Sequence, residues 1–410
     1  MHDHNAWNLK PEPVDIDLPD VKDMLTWNRA QRVVGFRNDY RQYSGDTFRP
    51  GDHVAPLPVS DRTVDSVSYS MAGITYSLQE YLERSSVTGL LVLKNGQIVH
   101  EFYGSGNTST TLWTSRSVAK SVVSTLVGVA LHDGAITSLD DLITQYRPDY
   151  SGSAWDGATL RQLITHTTGV QWSEDYTQPD SEFAKMTAYE AGSDTYTHVS
   201  DLVRNVKRKP GVAPGEVWDY CTGGAWLLGD ILERATGMSL AAYLERKIWK
   251  PFGMADTGVW HAYEAGHHDS GGHGFNATLR DWGRFGRFVL QDGVLPSGEK
   301  ILPDGWVRDA HTWTTAAGSV SPEHPHGAYG YQWWNNSVFA EDVSPKGTPE
   351  LQSTLWALGI FGQIIAINQT HNLVMVQWST WDTAAPAFDT QPLEASLIFN
   401  AFAAATNTAR

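Results

Sequence analysis

The chain has 410 residues, of which 41% are hydrophobic and 19% are charged, as is typical of globular proteins. This length allows a large core and suggests two or three structural units. The formal net charge of −16 argues against nucleic acid or an anionic membrane surface as a partner.

Cysteine usage and the N-terminal residues bear on the cellular compartment. Cys221 is the one cysteine, so no intramolecular disulfide can form and a reducing compartment is compatible. The first residues are polar and acidic, without the basic and then apolar layout of a secretion signal. The sequence contains no run of about eighteen apolar residues, which is the length that a membrane-spanning helix needs. We therefore expect a cytoplasmic protein without a membrane partner.

The N-terminal part of the chain, residues 1–65, is rich in Pro, Asp and Arg and is weakly patterned. It predicts an irregular arm packed on the body and not a separate domain. The first regular elements are expected to be a helix beginning at Ile74 and a hairpin around the turn pair Asn95-Gly96. The next helix is apolar on nearly every face and ends near Gly134.

The later part of the chain contains a second hairpin signal. Helices are expected to begin near Gly224 and near Thr278. Two apolar runs, 362–368 and 373–379, then predict a hairpin. A last helix is expected from Pro392.

Two hairpins far apart in sequence predict one antiparallel sheet that is built from both ends of the chain and flanked by helices. This α/β domain would comprise residues 66–137 and 223–410. The intervening residues, 138–222, show a pattern of short helices and loops and predict an inserted, mostly helical domain.

A hydroxyl and an amine stand three residues apart in Ser117-Val-Ala-Lys120, at the start of the apolar helix. Positions i and i+3 share a helical face, so Lys120 can reach the Ser117 hydroxyl. A serine becomes nucleophilic when a neighbouring base takes its proton, and a lysine in a dry setting has a lowered pKa and can be that base. The same loose pattern recurs at Ser297-Gly-Glu-Lys300, but the turn residues around it indicate a surface loop.

A serine site also needs a group that manages the proton on the leaving atom and donors for the developing oxyanion. Tyr220 precedes the helix at Gly224, although a tyrosine in such a place is most often a packing residue. Gly359-Ile-Phe-Gly-Gln363 leads into the last hairpin, and by itself it reads as a strand edge with glycines for close packing.

Taken in order, these three elements resemble the serine β-lactamase and penicillin-binding-protein superfamily, in particular the class C β-lactamase-like esterases and amidases. The phrase Leu163-Ile-Thr-His-Thr-Thr-Gly169 is also similar to that superfamily. Within it, the chain most resembles the 6-aminohexanoate-dimer hydrolases, which are nylon-oligomer amidases. The matching segments are 173–176, 219–222, 332–334 and 359–363.

The resemblance implies an α/β sandwich with an inserted helical domain and a site in the cleft between them. It implies that Ser117 is the acylated nucleophile, Lys120 the base, and Tyr220 the partner that relays the proton. The backbone N–H groups of Ser117 and Ile360 would form the oxyanion hole. A small ester or linear amide would be the substrate, with no cofactor, and the resemblance also suggests a homodimer.

Substrate binding is implied at Tyr176, which would contact the scissile nitrogen of an amide, and at Gly359. The Lys-Thr-Gly segment of lactamases is represented by 357–359, which begins with Ala357, and the Asn of Tyr-x-Asn is Thr222. Both differences argue against useful β-lactam turnover. Glu190 could substitute for the acidic group that binds the substrate amine in nylon-dimer hydrolases, although its segment does not align cleanly.

Other interpretations stay open at this point. A carboxylesterase with little amidase activity, or a β-lactam- or peptide-binding relative with weak turnover, would carry the same residues. An α/β-hydrolase triad is disfavoured, since the nearest approach to Gly-x-Ser-x-Gly is Gly237-Met-Ser-Leu-Ala241. Residues 266–273 contain three His and one Asp, and His324 and His326 add two more, but His-Glu-x-x-His is missing. We therefore expect no metal, with His273 lining the cleft.

Overall fold

The computed structural model of the chain describes residues 17–190, 198–264, 267–311, 329–335, 353–387 and 389–407. Within these residues, the α-helices are α1 (Arg29–Arg37), α2 (Leu78–Arg84), α3 (Val118–His132), α4 (Ile143–Tyr146), α5 (Leu160–Ile164), α6 (Glu182–Glu190), α7 (Val199–Arg204), α8 (Thr222–Thr236), α9 (Leu240–Leu244), α10 (Lys250–Phe252), α11 (Leu279–Leu290), α12 (Trp306–His311) and α13 (Gln391–Asn407). The strands are β1 (Gly45–Phe48), β2 (Ser68–Met71), β3 (Ile74–Ser77), β4 (Val87–Lys94), β5 (Gln97–Tyr103), β6 (Trp113–Thr114), β7 (Val170–Gln171), β8 (Lys207–Arg208), β9 (Gly258–Glu264), β10 (His267–Asp269), β11 (Phe275–Ala277), β12 (Trp334–Asn335), β13 (Leu355–Gly359), β14 (Gln363–Asn368) and β15 (Leu373–Ser379). Short 3₁₀ helices lie at Val21–Thr26, Asp39–Arg41 and Pro148–Tyr150.

The main sheet joins the two ends of the chain. Its strand order among the described residues is β12-β13-β14-β15-β4-β5, and every pairing is antiparallel. The contact between the two halves is made by β15 and β4, with Leu373 opposite Lys94 and Trp378 opposite Gly89. The predicted antiparallel sheet flanked by helices is therefore confirmed.

Alternate residues of the central strands face two different cores, as the two-residue period of a strand requires. On β4, Leu91 and Leu93 belong to the core that contains α3 and α11. Leu90 and Val92 belong to the core that contains α2 and α13. The sheet is thus covered by helices on both faces.

A second sheet lies beside the nucleophile candidate. Its order among the described residues is β1-β9-β11-β6, with β10 paired to β9. The last strand, β6, ends three residues before Ser117 and pairs with β11. Ser115 continues this contact, since its N–H donates to the Phe275 carbonyl oxygen at 2.8 Å. The sheet therefore fixes the chain just before α3.

The N-terminal arm is more regular than the sequence predicted. Helix α1 begins after Asn28, whose side chain accepts from the Gln31 N–H while the Gln31 side chain accepts from the Asn28 N–H. Strand β1 then pairs with β9, with Gly45 opposite His261. The prediction of an irregular arm was wrong because backbone pairing and capping, which give no apolar periodicity, organise this segment.

The helix predicted to begin at Ile74 starts later. Residues Ile74–Ser77 form β3, which pairs with β2 across a turn at Ala72 and Gly73, where φ is 50° and 79°. Helix α2 begins after Ser77, whose hydroxyl accepts from the Glu80 N–H in a capping box. Residues 138–222 contain the short helices α4 to α7 and the strands β7 and β8. The division into domains stays a prediction.

No helix among the described residues is both long enough and apolar enough to cross a membrane.

Candidate active site

Ser117 precedes the first residue of α3, and Lys120 lies one helical turn later on the same face. The Lys120 Nζ atom is 2.9 Å from the Ser117 Oγ atom and 2.9 Å from the carbonyl oxygen of Gly272. The lysine is 1% exposed, whereas Ser117 is half-buried and borders a pocket. The structure thus brings together the predicted hydroxyl and amine.

The surroundings of Lys120 favour its neutral form. Burial penalises the ammonium ion and lowers the pKa of Lys120 from 10.5 to about 8. The carboxylates of Glu174 and Glu190 act in the opposite direction. A lysine with this pKa has a neutral fraction near physiological pH and can accept a proton from a serine.

Tyr220 lies next to Ser117 and Lys120. Its ring centroid is 4.9 Å from Lys120 Nζ, and its hydroxyl lies close enough to Ser117 for that side chain to affect the pKa of Tyr220. Burial, with a contribution from Glu174, holds the pKa of the Tyr220 hydroxyl well above its usual value. Tyr220 therefore stays protonated and can pass a proton on. Trp334 stacks on its ring at a centroid distance of 5.6 Å and fixes its orientation.

Two backbone N–H groups border the nucleophile. Strand β13 ends at Gly359, where a Cβ atom would lie 2.6 Å from the Ser115 carbonyl oxygen, so glycine permits the strand to approach the start of α3. Ile360, the next residue, borders the same pocket as Ser117. Within the described residues, the N–H groups of Ser117 and Ile360 donate to no protein acceptor. They are available for an oxyanion.

The pocket at Ser117 encloses about 440 Å³, open solvent included. Tyr176, Ile360 and His273 are among the residues that line it, so these predicted positions lie together. Gly359 lies one residue behind the pocket wall, against Ser115.

Glu174 is a half-buried carboxylate to which the sequence interpretation gave no role. Its Oε2 atom accepts from the Thr222 N–H at 3.1 Å and from Trp172 Nε1 at 2.5 Å. Its Oε1 atom accepts from the Thr222 hydroxyl and from the Tyr176 hydroxyl, the latter at 3.4 Å. Burial raises the pKa of the Glu174 carboxyl, although Lys120, Thr222 and Trp172 oppose the shift. The sequence feature that could have pointed to Glu174 is its place in segment 173–176, one of the segments that carry the family resemblance.

A second carboxylate lies in the pocket wall. The Glu190 Oε1 atom is 2.7 Å from His273 Nε2, and both residues line the pocket. An acidic group therefore faces the space next to Ser117, at the position that the sequence left unresolved.

The competing motifs have other surroundings. Lys300 contacts Asp292 and Asp304 at 2.5 and 2.8 Å, away from this pocket. Ser239, the serine of the segment nearest to an α/β-hydrolase motif, caps α9 by accepting from the Ala242 N–H. No three His, Cys, Asp or Glu side chains among the described residues are placed to hold a metal ion. His324 and His326 lie outside the described residues.

Known proteins are similar to this chain in sequence and in fold. The sequence model of the Beta-lactamase family matches residues 76–397, which is most of the chain. The chain belongs to the Beta-lactamase family. Like other members, it is a serine hydrolase with this mixed fold.

Relatives within the family have amidase and esterase names. The 6-aminohexanoate-dimer hydrolase of Paenarthrobacter ureafaciens is 28% identical over 318 residues, which cover 74% of this chain and 75% of that relative. Esterase EstB of Burkholderia gladioli is 27% identical over 297 residues, covering 62% and 73% respectively. A solved Bacillus anthracis protein, assigned by name to the 6-aminohexanoate-dimer hydrolases, has a TM-score of 0.77 and 22% identity and covers 92% of this chain and 94% of that chain. At 22% identity, the comparison with the Bacillus anthracis structure supports the fold alone.

Two features distinguish this chain from Beta-lactamase family members with a Lys-Thr-Gly segment. Ala357 is fully buried in β13 and has neither a cation nor a hydroxyl. Thr222 directs its hydroxyl to Glu174. Ala357 therefore provides no group for a lactam carboxylate, and Thr222 provides no amide group for a lactam side chain.

Proposed function

We propose that this chain is an acyl-enzyme hydrolase of small ester or linear amide substrates, with Ser117 as its nucleophile. The 2.9 Å distance between Lys120 Nζ and Ser117 Oγ carries the proposal. Two further observations support it: burial lowers the pKa of that lysine to about 8, and the Tyr220 ring lies 4.9 Å from Lys120 Nζ with its hydroxyl near the same serine.

In the acylation step, neutral Lys120 takes the Ser117 hydroxyl proton while Ser117 Oγ forms a bond to the substrate carbonyl carbon. The carbonyl oxygen becomes an oxyanion, which the N–H groups of Ser117 and Ile360 bind. As the bond to the leaving group breaks, the proton passes from Lys120 through the Tyr220 hydroxyl to the leaving oxygen or nitrogen. An alcohol or amine departs, and the acyl group stays on Ser117.

Water completes the cycle by the same steps in reverse. A water molecule attacks the acyl carbonyl carbon and gives one proton to the base formed by Lys120 and Tyr220. The new tetrahedral intermediate collapses, its bond to Ser117 Oγ breaks, and Oγ regains the proton. A carboxylic acid leaves, so the reaction balances without a cofactor.

The pocket wall favours a substrate that carries a free amine. Glu190 presents a carboxylate beside Ser117, as the amine of a linear 6-aminohexanoate dimer would require, and Tyr176 lines the same pocket for contact with an amide nitrogen. A carboxylesterase with little amidase activity is the second candidate, because a relative at 27% identity has an esterase name. A cytoplasmic location and a homodimer stay predictions.

Replacement of the candidate nucleophile tests the proposal. Ser117→Ala should abolish turnover of a p-nitrophenyl acylate and prevent labelling by a fluorophosphonate, because the residue that forms the acyl bond is lost. Ser297→Ala, in the other Ser-x-x-Lys segment, is the matched control and should retain full activity. Turnover by Ser117→Ala at the wild-type rate would refute the proposal. An acyl adduct that persists for hours in intact-mass measurements would instead indicate a binding protein with weak turnover.

A further inference from the structure

Two residues with unusual backbone geometry flank the N–H groups of the proposed oxyanion hole. Arg116, directly before Ser117, has a φ of 46°, and Phe361, directly after Ile360, has a φ of 61°. Residues with a Cβ atom rarely adopt this left-handed conformation, and they keep it when the surrounding structure imposes it. The contacts of Arg116 and Phe361 therefore bear on the direction of both N–H groups.

Arg116 is held from the N-terminal segment. Its Nη2 atom is 3.2 Å from the Oδ1 atom of Asp39, and both side chains are buried. The other oxygen of Asp39 is 2.9 Å from His261 Nε2. Burial alone would raise the pKa of the Asp39 carboxyl, but Arg116 and His261 bring it well below its usual range, so it stays ionised. The ring of Phe36 packs against the Arg116 guanidinium, 4.6 Å from its Cζ atom.

The same phenylalanine reaches the second strained residue. The ring centroids of Phe36 and Phe361 are 5.6 Å apart. Phe36 also meets the ring of Trp113, in the strand before the nucleophile, at 5.8 Å and edge-on. Arg32, one helical turn earlier, lies over the Phe361 ring at 5.0 Å. One buried side chain of α1 thus contacts the segments that present both N–H groups.

These contacts come from a part of the chain that precedes the match to the Beta-lactamase family, which begins at residue 76. We propose that Phe36 and Asp39 are positioning residues for the oxyanion hole, because they hold Arg116 and Phe361 in the conformation that directs both N–H groups into the pocket. This inference rests on the proposed function, which assigns the oxyanion to the N–H groups of Ser117 and Ile360.

Asp39→Asn and Phe36→Leu test the inference, with kcat and KM for a p-nitrophenyl ester as the first readout. Loss of one oxyanion donor costs about 10²- to 10³-fold in kcat, so a misdirected donor should lower kcat by about tenfold or more. KM should change by less than about twofold, because the donors act in the transition state. The rate of fluorophosphonate labelling at Ser117 should fall with kcat.

Matched controls separate positioning from general destabilisation. Asp281→Asn removes another fully buried carboxylate that pairs with an arginine, Arg284, at 2.8 Å. Phe288→Leu removes another fully buried ring. All four variants are compared well below their unfolding temperatures, and the two controls should keep the wild-type kcat even where their stability falls. If Asp39→Asn and Phe36→Leu also keep the wild-type kcat and labelling rate, the inference is wrong.

A second comparison tests the backbone directly. In the Asp39→Asn background, Arg116→Gly should retain several-fold more kcat than Arg116→Ala, since glycine adopts a positive φ without steric cost. Equal rates for the glycine and alanine variants would contradict the inference. Absence of labelling at Ser117 in the wild-type protein would instead refute the proposed function, so the two failures are distinguishable.

Discussion

Burial lets Lys120 act as a base near neutral pH, and the rate of the proposed reaction should therefore depend on pH. The pKa of Lys120 is lowered to about 8 because the buried ammonium ion loses its hydration. Below that pH the lysine holds its proton and cannot accept another from Ser117, and above it the neutral amine can. We therefore expect kcat/KM for a neutral ester to rise with pH through about 8, measured from about pH 6 to about pH 9.

Glu174 provides the control for this assignment. Its carboxylate is the largest of the charges that raise the pKa of Lys120, so Glu174→Gln should move the rising limb of the profile to lower pH. Asp175→Asn removes an exposed neighbouring carboxylate and should leave the limb in place. A flat profile in the wild-type protein, or a limb that moves to higher pH in Glu174→Gln, would contradict the role of Lys120.

At the scale of single residues, the sequence predicted the contacts between side chains that are close together in the chain. Ser117 and Lys120 share a helical turn, so their contact follows from helix geometry. The roles of Tyr220 and Ile360 came from a family resemblance. The contacts of Glu174 with Thr222, and of Asp39 with Arg116, join segments far apart in sequence. Residue patterns do not encode such contacts without the fold.

At the scale of elements, the end of β13 must lie against the start of α3. A Cβ atom at Gly359 would lie 2.6 Å from the Ser115 carbonyl oxygen, which is closer than such atoms approach. Gly359→Ala should push the strand away from the nucleophile and move the Ile360 N–H group. We expect kcat for an ester to fall roughly tenfold to a hundredfold, with a smaller change in KM.

Gly286→Ala is the matched control for this change. Its Cβ atom would lie 2.6 Å from Val374 Cγ1, where α11 packs on the main sheet away from Ser117. It should lower the unfolding temperature and leave kcat near the wild-type value. Equal losses of kcat in both variants would mean that Gly359→Ala lowers activity through loss of stability. An unchanged kcat in Gly359→Ala would mean that the close contact between β13 and the start of α3 is not needed for activity.

The element predictions succeeded where turn chemistry was explicit. The Asn95-Gly96 pair marks the turn between β4 and β5. The helix expected from Ile74 was too long because apolar residues in a short strand and in the following helix gave one continuous pattern. Helix α1 was not predicted at all. It buries Phe36 but also Arg32, so it lacks the apolar stripe that identifies a helix in sequence.

At the scale of the whole molecule, the pocket is assembled from distant parts of the chain. Tyr43 comes from the N-terminal segment, Tyr176 and Glu190 come from residues 138–222, and His273 comes from the loop after β10. The nucleophile and the groups that surround its substrate therefore belong to different segments.

The proposed acylation chemistry and the residues of the pocket together predict an order of substrates. Short p-nitrophenyl esters should react fastest, because their leaving group needs little protonation, and the linear 6-aminohexanoate dimer should react slowly. Nitrocefin should be a poor substrate, since Ala357 provides no group for a lactam carboxylate and Thr222 provides no amide for a lactam side chain. Steady-state rates for the three substrates test this order, and nitrocefin turnover above that of the esters would overturn it.

Glu190→Gln distinguishes amine recognition from the acylation chemistry within the same set of substrates. A hydrogen bond to a charged group contributes about 1.5–3 kcal/mol, so kcat/KM for the amine-bearing dimer should fall about tenfold or more. At a pH above the rising limb of the profile, the rate for an uncharged ester should stay within about twofold, because Glu190 contacts no reacting atom and acts on Lys120 only through its pKa. Glu182→Gln, on the same helix but outside the pocket lining, is the matched control and should affect neither rate. An equal fall for ester and dimer in Glu190→Gln would place this carboxylate in the catalytic steps and not in substrate selection.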